Sequence, residues 1–408
     1  MKVIEINSVA GKQSTGRIVS EIKKELLARG HECMIAYGEK DSPDRDGNYH
    51  IGSELERYIH AAKARVFDTA GFESNHATRV FLRVIDEYQP DIIHLHNLHG
   101  YYLNIELLLD FLAKKKIPIV WTLHDCWAFT GHCSHFLSAE CDKWKIECNN
   151  CPQKREYPSS LICDRSRTNY LRKKNVISKI ENLSVVTPSH WLSSVVQESF
   201  LQSAKRYVIN NGIDINVFKP GYQMQLGEEF DGKKIVLAVS SVWTQLKGYD
   251  DLKVINRLLD KKRYKLVVIG VNSKQQEDLK QRGIFSVTRT ESAIELAKWY
   301  DKAFVFINPT YEDTFPTVNI EAIASGTPII TYRTGGSPEL VFDGCGVVVN
   351  VGDCGGIVNA LEVVEKDAEH CRKQGEKFEQ SKVYSKYVDL LESIDRSARK
   401  DSCNNKTI

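Results

Sequence analysis

Net charge is scarce in this 408-residue sequence: 55 Lys and Arg against 53 Asp and Glu leave a formal +2. A balance that close gives no global electrostatic case for a nucleic-acid partner. No apolar run is long enough to span a membrane, and the start, Met1-Lys2-Val3-Ile4-Glu5-Ile6-Asn7, carries an acid inside a short strand-like stretch, unlike a signal peptide. The expected location is therefore the cytoplasm. Gly-x-Gly-x-x-Gly is missing directly after the first predicted strand, as is a Walker loop, which excludes the ordinary dinucleotide fingerprint and the P-loop. Internal repeats and low-complexity tracts are absent too. The eleven cysteines are odd in number, and without an export signal they argue for thiols or a metal, not a disulfide framework.

What is present is an alternation of buried strands and amphipathic helices, 42% hydrophobic and 26% charged, in a chain long enough for two domains. Residues 3–7 read as a strand, followed by the polar loop Gly11-Lys12-Gln13-Ser14-Thr15-Gly16. A helix follows with Ile18, Val19, Ile22, Leu26 and Leu27 on one face, ending at Gly30, before a strand at 33–37. This is an α/β, Rossmann-like opening. Residues 91–96 and 117–122 are compact apolar runs of the kind that form parallel strands, separated by a helix over 103–116. They deliver His96-Asn97 and His124-Asp125 at their C-terminal ends, where open parallel sheets bind ligands. One histidine at a strand end is usually structural; two at equivalent ends point to a site.

Residues 126–163 interrupt the alternation with Cys133, Cys141, Cys148 and Cys151, accompanied by His132 and His135. Cys148-x2-Cys151 has the spacing of a zinc knuckle, and Cys133 and Cys141 complete a tetrahedral thiolate set; the competing reading is scattered reduced thiols. A closed four-thiolate zinc would stiffen a loop and not catalyse. A basic segment follows, Arg165, Arg167, Arg172, Lys173, Lys174 and Lys179. It reads either as a solvated helix face or as a surface attracted to an anionic membrane or a pyrophosphate-linked acceptor. A strand at 183–187 and a helix over 191–200 capped by Ser189 precede a Gly-containing linker at 221–232.

The chain is organised around residues 308–326. A strand at 303–307 leads through a loop to a helix at 317–325, stopped by Gly326 and Pro328, with Pro316 at a first helical position. The N–H groups of Thr317, Val318 and Asn319 then make an anion site, bracketed by the carboxylates of Asp313 and Glu321. Taken alone, this bracket reads equally well as a solvated loop acid and an ordinary helix-start glutamate.

Asp313-x7-Glu321, with Gly326-Thr327-Pro328-Ile329-Ile330 and Gly335-Gly336-Ser337-Pro338-Glu339, resembles the donor signature of family-four retaining glycosyltransferases of the GT-B fold. The family usually carries Glu at the first position. Thr122-Leu123-His124-Asp125, residues 207–214 and Lys247-Gly248 resemble further family segments, and the similarity runs over nearly the whole chain. It is greatest to capsular and exopolysaccharide enzymes of the colanic-acid type, which also carry the Cys-rich insert.

The resemblance implies two Rossmann-like domains facing across a cleft. The domains are 1–220, holding the insert and binding the acceptor, and 221–375, binding the donor; a helix at 376–397 crosses back, and a disordered tail covers 398–408. It implies transfer of a hexose from a UDP- or GDP-sugar to a glycan or polyprenyl-diphosphate-linked acceptor, with peripheral contact at the inner face of the cell membrane. Catalysis falls to Asp313, His124 and Lys247. Donor contacts fall to Gly16, His96, Lys247, Thr288, Arg289, Asp313, Phe315, Thr317, Val318, Asn319 and Glu321. The family pairs an Arg with Lys247; here Ser241 or Val242 stands in that place, and Arg289 or Arg333 are the replacements. The reading takes the chain to have no Asp-x-Asp pair, and the reaction is expected to need no catalytic metal. The alternatives are a non-hydrolysing sugar-nucleotide epimerase, which shares the fold, and a binding subunit that has lost turnover.

Overall fold

The computed structural model describes residues 1–404, with side chains described for 1–400. By its internal contacts the chain divides into two compact units, Met1–Asn210 with Val383–Ile408, and Asn211–Lys382. The linker-based reading sets the first boundary ten residues later.

The N-terminal unit is built on seven strands: β1 (Lys2–Asn7), β2 (Glu32–Tyr37), β3 (Tyr49–His50), β4 (Ile92–Leu95), β5 (Ile119–Thr122), β6 (Leu183–Thr187) and β7 (Lys205–Val208). They form one sheet in the order β3-β2-β1-β4-β5-β6-β7, every neighbouring pair parallel. The central strands are buried end to end, which is why they read as continuous apolar runs and not as alternating ones. The strand order turns around between β1 and β4, so the chain leaves these two neighbours toward opposite sides of the sheet. That switch point opens a crevice at their carboxyl ends.

The C-terminal unit repeats the scheme with β8 (Lys234–Val239), β9 (Tyr264–Ile269), β10 (Phe285–Val287), β11 (Val305–Asn308), β12 (Ile329–Tyr332) and β13 (Gly346–Val349). Their order is β10-β9-β8-β11-β12-β13, again parallel throughout. Here the switch point lies between β8 and β11. Both faces of this sheet are covered, one by the cluster around Phe306, Ile320 and Tyr300 and the other by the cluster around Val268, Ile307 and Ile330.

The last helix, Gln380–Asn404, belongs to the N-terminal unit from Val383 onward. Val383, Tyr384, Tyr387, Val388 and Leu391 pack on Val3, Ile22, Val120 and Val186, each apolar burial being worth about 1.5–3 kcal/mol. Polar ties lie at the rim: Arg29 donates to Asp389 at 2.5 Å and His31 meets Glu392 at 2.9 Å. The sequence reads 398–408 as a disordered tail, yet the helix runs on to Asn404. Arg399 bridges back one turn to Asp395 at 2.8 Å, an i, i+4 pair that supports a helix end. Residues 405–408 of the expected tail lie outside the described residues.

Candidate functional site

At the switch point of the C-terminal sheet, the loops after β8 and β11 are laced together by backbone. Tyr311 N–H and the Thr310 hydroxyl both donate to the Leu246 carbonyl, at 2.8 and 3.2 Å. Gly248 sits at φ +79°, and a Cβ there would lie 2.3 Å from the Pro309 carbonyl oxygen, so only glycine allows this approach. Thr244 caps the short turn Gln245–Lys247 by accepting from Lys247 N–H. This lacing sets the Lys247 ammonium on Asp313, Nζ to Oδ2 2.9 Å, and within 3.3 Å of the Glu312 carbonyl. The pair is half-exposed, with 37% and 23% of the two side chains open. The other Asp313 oxygen accepts from Phe315 N–H at 3.2 Å, and the Asp313 carbonyl accepts from Gly336 N–H at 3.2 Å. Gly335 lies so close that a Cβ would overlap the Asp313 carbonyl, which accounts for the first glycine of the motif in steric terms.

The helix Thr317–Ala324 starts beside this pair, with Pro316 as its N-cap at φ −69°, ψ 118°. The sequence reading puts Pro316 inside the first turn and leaves three N–H groups free. The structure corrects both points, because Asn319 N–H donates to the Pro316 carbonyl at 3.2 Å. Asn319 also turns its buried side chain inward, where its oxygen accepts from Asn308 at 2.8 Å. Thr317 and Val318 remain as the first-turn donors without an intrahelical acceptor. Glu321 lies one turn further on and accepts from the buried Tyr300 hydroxyl at 3.1 Å, a partner the sequence reading missed. Burial, and then the Glu321 charge, push the Tyr300 phenol well above its usual range, so it keeps the proton it donates to Glu321. Phe315 is buried in the core, where its carbonyl accepts from Asn211 at 2.9 Å.

Thr288 and Arg289 are exposed just past β10, and Arg333 is exposed just past β12. Since β12 adjoins β11 while β10 is three strands from it, Arg333 is the nearer of the two arginines by topology to the Asp313 loop.

The N-terminal switch point is different in kind. Glu5 on β1, His94 and His96 on and after β4, and Thr122 and His124 on and after β5 form one hydrogen-bonded chain. Glu5 Oε1 meets His94 Nδ1 at 3.0 Å and Glu5 Oε2 meets His96 Nε2 at 2.7 Å. His94 Nε2 meets the Thr122 hydroxyl at 2.8 Å, and His96 Nδ1 meets His124 Nε2 at 3.0 Å. Tyr387 of the last helix also bonds Thr122. Burial works to raise the Glu5 carboxyl, but His94 and His96 outweigh it and hold it at about 2. Burial, reinforced by His94, drives His96 down to about 4. Burial and His96 likewise drive His124 well below the usual imidazole range. Glu5, His94 and His96 are the one group among the described residues whose potential metal-ligating atoms all lie within 4.8 Å, and each of these atoms is already engaged in the chain just described.

His96 is thus buried behind His124, while His124 itself is half-exposed and lines a small cavity with Asn97, His99, Asp125 and Trp127. Asp125 is held by His99 at 2.7 Å and by Trp127 N–H at 2.8 Å. Gly16 is buried in the first turn of the helix Gln13–Ala28, with a Cβ position 3.0 Å from Val9. Its evident role is close packing of the loop after β1. Sequence reasoning treated Glu5 only as a charge incompatible with a leader. An acid in the middle of a strand that is otherwise apolar was the available signal for the whole chain of bonds. The reading that the chain has no Asp-x-Asp pair is corrected: Asp44-Arg45-Asp46 is one, and it lies in this unit with Asp44 held by Ser20 at 2.7 Å and Asn48 at 3.0 Å.

The four insert cysteines line one small cavity together with His132. All ten cysteines with described side chains are free thiols. The Cys133 thiol donates to Cys151, lowering it to about 7, while burial pushes Cys148 up to about 11. Gly131 N–H points at Cys148 Sγ from 3.2 Å. His132 is buried with Nδ1 on Asp68 at 2.5 Å, and its Nε2 has no hydrogen-bond partner. In the basic segment, Arg167 pairs with Glu147, Arg172 with Glu106 and Lys179 with Asp110. Lys173 is fully buried and donates to the Trp127 carbonyl at 2.5 Å. Four of its six cations are therefore committed within the protein, which favours the structural reading of that helix. No helix of the described residues is long and apolar enough to cross a membrane.

Comparison with known proteins matches residues 15–217 to the Glycosyltransferase Family 4 model and residues 233–367 to the Glycosyl transferases group 1 model. The chain is 25% identical over 279 residues to the "Putative colanic acid biosynthesis glycosyl transferase WcaC" of Escherichia coli K12, a match spanning 64% of each chain. It is 25% identical over 417 residues to the N-acetyl-alpha-D-glucosaminyl L-malate synthase of Bacillus anthracis, covering 96% of both. Among solved structures, Anabaena HepE in complex with UDP superposes with a TM-score of 0.64 at 14% identity, over 96% of this chain and 100% of that one. Two parallel-sheet units, a Lys–Asp turn beside a helix start, and family matches over most of both halves agree: the chain belongs to the family 4, group 1 glycosyltransferases of the GT-B fold.

Proposed function

We propose that this protein is a retaining glycosyltransferase that moves a hexose from a UDP- or GDP-sugar to a glycan or polyprenyl-diphosphate-linked acceptor in cell-surface polysaccharide synthesis. The observation that carries the reading is the laced turn that brings Lys247 and Asp313 to the start of the helix Thr317–Ala324. In this reading the diphosphate lies against the Lys247 ammonium and the N–H groups of Thr317 and Val318, and the exposed Arg333 supplies the second cation. Glu321, steadied by Tyr300, accepts from the ribose hydroxyls. Asp313 uses its remaining lone pairs for hydroxyls of the sugar, and His124 accepts from another. Thr288 and Arg289 lie along the base.

As the glycosidic bond breaks, negative charge builds on the leaving diphosphate. Donors already fixed in place stabilise that charge most strongly at that moment. The acceptor hydroxyl attacks the anomeric carbon from the face the diphosphate leaves, passing its proton to the leaving phosphate, so the configuration is retained. No catalytic metal enters this scheme. UDP and UDP-glucose complexes of HepE and the colanic acid wording of the E. coli relative support the donor and pathway class. The test is a panel of UDP- and GDP-sugars incubated with lipid extract, repeated with EDTA once a donor is found. One donor should release nucleotide; release with none would favour a binding subunit, and release without acceptor would favour an epimerase.

Zinc at the insert is a proposal from the cysteine spacing; among the described residues no three of these sulfurs lie within 4.8 Å of one another, so the thiols are not gathered as a ligand set. What supports the proposal is that the four thiols share a cavity and that Gly131 N–H faces the Cys148 sulfur. Cys133, Cys141, Cys148 and Cys151 would hold the ion, with the buried Asp68–His132 pair beside them. Such a site fixes the loop after β5 and takes no part in the transfer. Purified protein should carry about one zinc per chain, measured by plasma emission, and metal-free protein of unchanged melting temperature would overturn the assignment.

A further inference from the structure

We propose that Glu5 is a positioning residue that acts through His96 to keep the ring proton of His124 on Nε2, leaving Nδ1 as that ring's acceptor. Protons can be counted along bonds whose partners are fixed. A carboxylate can only accept, so at 2.7 Å the bond between Glu5 Oε2 and His96 Nε2 requires the proton on His96 Nε2. A neutral His96 then has only a lone pair on Nδ1. The 3.0 Å bond from that atom to His124 Nε2 must therefore take its proton from His124. Both Glu5 and His96 are buried, and burial of His96 opposes the doubly protonated ring that would reverse the last bond. The second Glu5 oxygen is occupied by His94 Nδ1 at 3.0 Å, and His94 is itself anchored on Thr122 at 2.8 Å. The carboxylate therefore cannot swing away from His96 without stranding a buried ring.

The consequence is directional. With its proton on Nε2, His124 receives hydrogen bonds through Nδ1 and gives none there, so a hydroxyl group is a suitable partner and an acceptor-only group is not. The tautomer stands by itself; its use on a sugar hydroxyl rests on the proposed function. A protonated Glu5, or a metal ion among Glu5, His94 and His96, would break the proton count.

The experiment is nitrogen-15 imidazole spectroscopy of histidine-labelled full-length protein at pH 7.5, with His124 assigned by comparison with His124→Gln. The expected result is a single neutral tautomer with the directly bonded proton on Nε2. In His96→Phe, and in Glu5→Leu where it folds, that signal should give way to a mixture of both tautomers. Where turnover is measurable, kcat should fall at least tenfold with KM for the nucleotide sugar little changed. A proton on Nδ1 of His124 in the unaltered protein overturns the proposal. So does an Nε2 tautomer that survives loss of His96. Because the spectra need no turnover, failure of the glycosyltransferase reading leaves the assignment standing or falling separately.

Discussion

The two sheets share one topology and put two different devices at equivalent switch points. In the N-terminal unit the crevice is floored by side chains that satisfy one another: Glu5, His94, His96 and Thr122 are all buried and bonded in sequence before His124 reaches the surface. In the C-terminal unit the crevice is made of backbone and one half-exposed ion pair, Lys247 with Asp313. The first device presets a ring and carries no mobile charge. The second holds a cation against an anion that a phosphate can displace or share. A half-exposed pair is worth only about 0–1 kcal/mol to the fold, so loosening it costs little stability. The contrast matches a division of labour in which one unit orients hydroxyls and the other absorbs charge.

The largest expected effect lies on the charge-absorbing side. Lys247→Ala should lower kcat by about a hundredfold to a thousandfold, the scale of losing one fixed transition-state donor. Its melting temperature should stay within a degree or two, because the pair it removes is half-exposed. Lys247→Arg should recover part of the rate. Steady-state kinetics with the donor found in the panel would check this. A variant that loses stability and keeps its rate would turn the comparison around, making the ion pair a structural strut.

Legibility divided along the same line. Strands 183–187 and 234–239 could be read to the residue, because buried parallel strands are continuous apolar runs and their ends are marked by polar residues. The Asp313-x7-Glu321 spacing was also readable as a pattern, since it is local in sequence; the cysteine spacing was equally local, but no three of those sulfurs lie within 4.8 Å of one another. Three things were not readable. β3 is only two residues long and carries no pattern. Tyr300 reaches Glu321 across 21 positions and Glu5 reaches His96 across 91, and such pairings become visible only once the sheet order is known. The start of the helix Thr317–Ala324 was misjudged at Pro316 and Asn319, where a tight turn consumes an N–H that helix rules leave open.

Acid should separate the two units next. His60 and His96 are both held at about 4 against an ordinary 6.5, burial being the leading cause. Their folded forms are neutral, so as pH falls below 6.5 the unfolded chain takes up these protons first. Stability present above 6.5 is lost toward pH 4 at about 1.4 kcal/mol per pH unit for each such ring. Glu5, held at about 2 against 4.5, adds a further loss below pH 4.5. The C-terminal unit has a single histidine, His370, which is not buried. Peptide-resolved hydrogen exchange at pH 7.5 and 5.5 should show protection falling first in β1, β4 and β5. Equal losses in β8 and β11 would erase the proposed distinction between a titrating floor and a backbone one.

The smallest effect tests whether the C-terminal site is as independent of buried side chains as its exposed pair makes it look. Tyr300→Phe removes only the hydroxyl that donates to Glu321 at 3.1 Å. The ring stays packed on Phe218 and Phe306, so the cavity cost is negligible and the change reads the hydrogen bond alone. A bond to a charged acceptor is worth about 1.5–3 kcal/mol, but Glu321 is partly open to solvent and recovers some of it from water. The expected result by calorimetry is a nucleotide affinity weaker by about threefold to tenfold, which corresponds to roughly 1 kcal/mol. Glu321→Ala should cost more, since it removes the acceptor itself. If Tyr300→Phe lowers the melting temperature and leaves nucleotide affinity untouched, Tyr300 props the helix and does not aim the carboxylate. The C-terminal crevice would then be backbone-built throughout, and its contrast with the Glu5 chain would be complete.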